Sequence, residues 1–184
     1  MRLVQGQCST LILVLILGNW LNKNNPKYGK AHGFKVDVLK KLETMRIKSK
    51  QISVMNLLLR LTQKQFKMDP NMQNEIKIIS TAASIDINHI DEEVKNIATC
   101  INKAESTVSS IKQLEQIESN EVFLRKMNDF LVESSEKMMK LKQENCRLKD
   151  SFADLRKYFG DDNKDTTSEE FFSTFKCFLT KFKG

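Results

Sequence analysis

The sequence predicts an all-α protein, an elongated helical module in which long antiparallel coiled-coil-like helices lead to a small terminal helical subdomain. Three observations carry that expectation. Between Pro70 and Gly160 there is neither proline nor glycine, so nothing in the backbone interrupts a helix over that span. Within it, apolar residues recur at alternating steps of three and four, a period near 3.5 that belongs to coiled coils. The final stretch, "TTSEEFFSTFKCFLTKF", sets four phenylalanines at helical spacing behind a helix start signal.

The chain has 184 residues, 40% of them hydrophobic and 29% charged, which fits one folded domain or one elongated module rather than a disordered segment. Residues 1–10 match no pattern and are left unplaced. The apolar run Leu11–Leu17 reads as a buried helix. A secretory leader is disfavoured by the single Arg2 and by "GNW" at the place of a cleavage motif. Spanning a bilayer needs about 20 apolar residues, so no membrane span is expected.

Directly behind that run stands "GNWLNKNNPKYGKAHGFK", residues 18–35. Asparagine side chains can satisfy backbone groups where a helix stops, glycines permit a tight path, and Trp20 is expected in a pocket with its N–H bonded. This segment belongs to a basic region, 11–70. Residues 1–70 carry 13 Lys/Arg against three acids, net +10, whereas residues 71–184 carry 17 against 20, net −3. Such asymmetry fits either an anionic partner for the first part or a solvated basic face. Nucleic acid fits poorly, because no aromatic stacking platform is interleaved with the basic residues.

The long helical region, 71–159, starts at "MDPN", with Asp69 as N-cap and Pro70 at the first helical position. Its first apolar series is Ile76, Ile79, Ala83, Ile87, Ile90, Val94, Ile97, Ile101, Ala104, Val108 and Ile111. A second series runs Leu124, Met127, Leu131, Ser134, Met138, Leu141, Asn145, Leu148, Phe152, Leu155 and Phe159. As one helix the region would extend on the order of 130 Å, so a turn near Ser119 and Asn120 is expected to fold the second series back on the first. Ser134 and Asn145 at core positions lower stability and fix register.

In the last segment, 160–184, Thr167 can cap a helix and Glu170 can reach back in a capping box. Phe171, Phe175, Phe178 and Phe182 form the face that must pack, with Phe172 and Leu179 alongside.

Chemistry finds no foothold in these residues. There is no nucleophile elbow, no phosphate loop and no paired-carboxylate constellation. Cys8, Cys100, Cys146 and Cys177 are scattered, and His32 and His89 lack ligand spacing. The cysteines read as structural, buried or half-buried thiols in a reducing compartment. No enzyme activity, metal or cofactor is expected.

"LILGNWLN" followed by "HGFKVDVLKKLETMR" resembles the signature of the formin homology 2 domain, the actin-assembling domain of formins, and "FLRKMNDFL" with "YFGDDNKDTTSEEFFSTFKCFLTKF" resembles its end. The resemblance covers residues 11–184, corresponding to the C-terminal half or less of a complete domain. It implies actin as partner, and a head-to-tail ring in which the lasso of another subunit wraps the post. The ring nucleates unbranched filaments and elongates them at barbed ends. Cytoplasm and cytoskeleton follow as its place.

By the same resemblance, Gly18, Asn19, Leu21, Asn22, Gly33 and Phe34, with Trp20 between them, fall in the lasso and post interface. Lys41 and Arg46 match the actin-contacting basic positions. Lys23, Lys27, Lys30, Lys35 and Lys40 are expected to face outward beside them. Arg46 stands where lysine is usual, which keeps the charge and changes the hydrogen-bond geometry. With no lasso or complete knob in these residues, the chain by itself is not expected to close the ring. The alternative reading is a helical coiled-coil scaffold without actin-assembly activity.

Overall fold

The computed structural model of the chain describes residues 5–47, 52–65, 72–113, 117–163 and 165–183. Among them lie seven α-helices: α1 (Gln5–Leu21), α2 (Asp37–Lys41), α3 (Val54–Gln65), α4 (Met72–Ala82), α5 (Ile87–Gln113), α6 (Ile117–Tyr158) and α7 (Ser168–Thr180), followed by a 3-10 turn, Lys181–Lys183. The all-α class is as predicted. Asp69 and Pro70, the expected helix start, lie outside the described residues.

The chain divides into two compact units. One comprises Met1–Ile85 and Asp154–Gly184, the other Asp86–Ala153. In the first, α7 packs against α4 and α2, and α1 against α3. Thr167 caps α7 by accepting from the Glu170 N–H at 3.2 Å. The reciprocal half of the capping box is not made, because the Glu170 carboxylate turns to Lys40 Nζ at 2.8 Å. Phe171, Phe175, Phe178 and Phe182 are all buried, so the aromatic face reads through to the core. Phe159 joins it, its ring centroid 4.8 Å from that of Phe175 in an edge-to-face arrangement.

Helix α6 stops at Gly160, whose φ of 64° is the left-handed conformation that glycine adopts without a Cβ penalty. Asp161 N–H returns to Arg156 O at 2.9 Å and Gly160 N–H to Lys157 O at 3.1 Å, the two bonds of a Schellman cap. Arg156 then pairs with Asp161 at 3.0 Å, a largely shielded contact with the cation at the negative end of the helix.

In the second unit, α5 and α6 run antiparallel. Lys112 Nζ donates to Asn128 at 3.0 Å, Ser135 Oγ to Glu105 at 3.1 Å, and Lys149 Nζ to Asp91 at 3.0 Å, so the partner number rises on α6 as it falls on α5. Val108, Leu124 and Leu131 form the buried centre, with Ile101, Ala104, Ile111 and Met127 packed on it. Asn145 is buried as expected, and its Nδ2 donates to Asp91 at 2.7 Å.

Three expectations are corrected. First, Ser119 and Asn120 lie within α6, so no turn separates the helices there. Second, the first apolar series is not one helix but breaks over residues 83–86. The cause is a competing cap: Asp86 Oδ1 accepts from the Asn88 N–H at 2.9 Å and starts α5 without help from glycine or proline. Third, Cys100, Cys146 and Cys177 are exposed thiols, not buried ones, because each occupies the outer face of its helix.

Candidate partner-binding site

The segment after α1 is held by asparagines. Asn19 Nδ2 donates to Ala31 O, and Asn19 Oδ1 accepts from Ala31 N–H, both at 2.9 Å. A side-chain amide thus pairs with a backbone position twelve residues on, as one strand would with another. Asn22 folds back onto Gly18 O through its own N–H at 3.1 Å and its Nδ2 at 2.8 Å. Asn25 Oδ1 accepts from the Lys27 N–H at 3.0 Å, an Asx turn fixed by the following Pro26.

The glycine that this path requires is not one that the sequence pattern singled out. A Cβ at Gly29 would lie 2.5 Å from Asn22 O and 3.0 Å from Asn25 O, whereas one at Gly18 or Gly33 meets nothing within 4 Å. Gly29 escaped notice because its neighbours are backbone atoms, although "NNP" before it was a readable turn signal.

Trp20 is corrected too. It is 58% exposed on α1, beyond Val14 and Leu17, which are buried. Lys23 Nζ lies over its ring, 6.0 Å from the centroid. The reason is helical phase: Val14 and Leu17 form the covered face, while Ile12, Ile16 and Trp20, each four residues apart, lie together on another. Leu21 and Phe34 are half-buried, while Asn22 and Gly33 are exposed.

The basic residues do not form one free set. Lys35 Nζ lies 2.8 Å from Asp162, and Lys40 Nζ lies 2.8 Å from Glu170 and 3.7 Å from Asp37. The hydrogen bond to Asp162 holds Lys35 above the ordinary lysine value, and the bond to Glu170 does the same for Lys40. Lys23 and Lys27 lean over Trp20 and Tyr28. Lys41 and Arg46 are exposed and, among the described residues, carry no ion pair. Lys41 ends α2, where its carbonyl accepts from Thr44 and Met45 N–H groups at 3.1 and 2.9 Å. Arg46 sits in an antiparallel bridge with Ser53. Met45 O accepts from the Val54 N–H at 2.9 Å in the same turn, and Ser53 Oγ accepts from the Asn56 N–H at 3.1 Å.

Below this rim, Leu39, Met55 and Phe178 floor a groove of about 500 Å³. Two ion pairs border it: Lys40 with Glu170 at 2.8 Å and Lys181 with Glu43 at 2.7 Å. Among the described residues there is no cluster able to hold a metal ion, and no helix is long and apolar enough to cross a membrane.

The site lies on a helical unit closed by an aromatic C-terminal helix, with an asparagine-clamped basic turn on it. The Formin Homology 2 Domain matches residues 9–183, and the chain belongs to that family. It is 29% identical over 173 residues to Disheveled-associated activator of morphogenesis 2 of Gallus gallus, covering 94% of this chain and 16% of that protein. The Homo sapiens protein of the same name is 29% identical over 174 residues, with the same coverage of 94% and 16%. Formin-E of Dictyostelium discoideum is 26% identical over 175 residues, covering 94% of this chain and 11% of that one. The chain thus spans less than a fifth of the length of these relatives.

Proposed function

We propose that this chain is an actin-binding part of a formin, working in the nucleation and elongation of unbranched filaments within the cytoplasmic actin cytoskeleton. Lys41 and Arg46 carry the actin contact. The turn from Gly18 to Asn22, with Gly33 and Phe34, receives the lasso of another formin homology 2 subunit. The role is assembly, not catalysis.

The observation that carries this reading is selective neutralisation. Lys35 and Lys40 are paired to acids of the same chain, whereas Lys41 and Arg46 stand exposed without acidic partners among the described residues. Unpaired surface cations orient and accelerate association with an acidic protein surface, and salt weakens them. Family membership supports actin as that surface.

The test is co-sedimentation with actin filaments at physiological salt. The parent chain is expected to pellet with filaments, Lys41→Asp/Arg46→Asp to stay in the supernatant, and Lys35→Ala to behave as the parent. Equal pelleting of parent and double variant would remove these two residues from the contact. Absence of pelleting by any form would favour a scaffold without actin activity.

A further inference from the structure

Helix α1 is apolar on every side from Leu11 to Leu17, yet the fold covers only part of it. Val14 and Leu17 are buried, whereas Ile12, Ile16 and Trp20 are 47%, 57% and 58% exposed. Spaced four residues apart, these three form one stripe about 12 Å long at the helical rise. A helix that is apolar all round needs cover on both sides. Packing within the first unit, against α3, supplies one.

The stripe leads into a turn of related chemistry. Tyr28 is 54% exposed, and each of the two rings has a lysine over it: Lys23 Nζ lies 6.0 Å from the Trp20 centroid and Lys27 Nζ 5.4 Å from that of Tyr28. Lys30 is exposed two residues further on. No acid precedes Asp37 in the sequence, while residues 1–36 hold five Lys/Arg. Lys35 is paired with Asp162, but Lys23, Lys27 and Lys30 carry no ion pair among the described residues. The Asn19 clamp on Ala31 ties this turn to the end of α1, so aliphatic, aromatic and cationic groups follow one another from Ile12 to Lys30.

We propose that this part of the first unit is a membrane-surface site, which lays the Ile12, Ile16 and Trp20 stripe into the headgroup boundary of an anionic phospholipid bilayer and sets Lys23, Lys27 and Lys30 on its charged headgroups. The order of the groups is that of a bilayer interface read outward. Aliphatic side chains enter the acyl region, Trp and Tyr rings rest at headgroup level, and lysines reach on their stems to the anionic surface. The stripe is convex, being the outer side of a single helix, and a bilayer takes a convex face without the shaped pocket that a protein partner would have to supply. A single-stranded nucleic acid would use the two rings and the lysines, but it leaves Ile12 and Ile16 uncovered. The helix lies along the surface rather than through it, since a span needs about 20 apolar residues. Trp20 also belongs to the lasso surface proposed above, so lasso and bilayer exclude each other there. This inference does not rest on actin binding.

Trp20 is the only tryptophan of the chain, so its fluorescence reports on the site directly. The test titrates the whole chain with vesicles of phosphatidylcholine and phosphatidylserine, and with vesicles of phosphatidylcholine alone. The anionic vesicles are expected to pellet with the chain and to move Trp20 emission to shorter wavelength, and the neutral ones to bind at least tenfold more weakly. Ile12→Glu/Ile16→Glu abolishes the shift, and Lys23→Glu/Lys27→Glu weakens binding at least tenfold. Lys126→Glu/Lys140→Glu makes the same change of charge on α6 and leaves both readouts as in the parent. All these positions are exposed, so the variants test the surface and not the fold. No binding, or equal binding by every form, overturns the proposal. Pelleting without a shift overturns it as well, because charge alone would then hold the chain. So does tighter binding to an oligothymidylate that quenches Trp20, which assigns the rings to nucleic acid. Emission already at short wavelength in the free chain, and moving to longer wavelength on dilution, gives the stripe to a second copy and likewise overturns it.

Discussion

Asn19 holds Ala31 by both ends of its side-chain amide, donating to the carbonyl and accepting from the N–H at 2.9 Å each. One residue at the end of α1 thereby fixes the far side of the turn that carries Lys23, Lys27 and Lys30. Asn19→Ala leaves both Ala31 groups without that partner, and is expected to lower stability by about 1–3 kcal/mol, the penalty for part-buried polar groups left unpaired. Amide hydrogen exchange at Ala31 is the direct readout. It should accelerate in Asn19→Ala, and unchanged protection would remove the clamp from the account.

Gly29 and Gly18 separate two meanings of a glycine. Gly29→Ala forces a methyl against backbone oxygens at 2.5 and 3.0 Å, and is expected to destabilise by about 1–3 kcal/mol, as overpacking does. Gly18→Ala has open space in the last turn of α1, so it should stabilise by roughly 0.5–1 kcal/mol through helix propensity. Urea denaturation of the two variants should move the midpoint in opposite directions.

Asp91 makes the α5 and α6 pair sensitive to acid. Hydrogen bonds from Lys95, Lys149 and Asn145, in that order of weight, hold its carboxyl well below the usual carboxylate range. A folded pKa below the unfolded one contributes stability that is fully present above about pH 4, the ordinary aspartate value, and is lost as pH falls below it. The parent chain should lose stability over that acid range, and Asp91→Asn should flatten the loss. Denaturant midpoints measured between about pH 2 and 5 check it; parallel curves for the two proteins would reject the assignment.

Asn145 marks a place where the core gives up stability for order. Its Nδ2 reaches Asp91, but its Oδ1 is buried without a hydrogen-bond partner among the described residues. An unpaired buried acceptor costs about 1–3 kcal/mol, and a single polar residue in a heptad row is a known way to fix register. Asn145→Leu is expected to raise the thermal midpoint while broadening the helix register. A disulfide-trapping series between α5 and α6 would report that broadening as cross-links at more than one spacing.

Local signals carried through to the structure, and distant ones did not. Thr167 caps α7 and the Phe171, Phe175, Phe178 and Phe182 face is buried as its spacing predicts, because a cap and a 3.6-residue period act within a few residues. The break before α5 was hidden, since Asp86 sits inside an unbroken apolar series and its capping role depends on which of two competing helices wins. Trp20 misled because pocket or surface depends on helical phase against α3, which residue type does not reveal. In the candidate site the family signature was legible, but the ion pairing of its lysines was not. Lys35 and Lys40 find acids 127 and 130 residues away, a separation for which no local pattern exists, and Gly29 matters only through backbone oxygens brought back by the turn.

The unit that joins residues up to Ile85 with those from Asp154 onward has an effect on the order of events at the ribosome. Ile76, Ile79 and Leu39 belong to helices that α7 packs against, yet α7 emerges roughly 100 residues later. At translation speeds of about 5–20 residues per second, those apolar faces wait roughly 5–20 s for their cover. The helices α5 and α6, contiguous in sequence, are free to pair in that interval, so the later-made half of the chain finishes folding the earlier one.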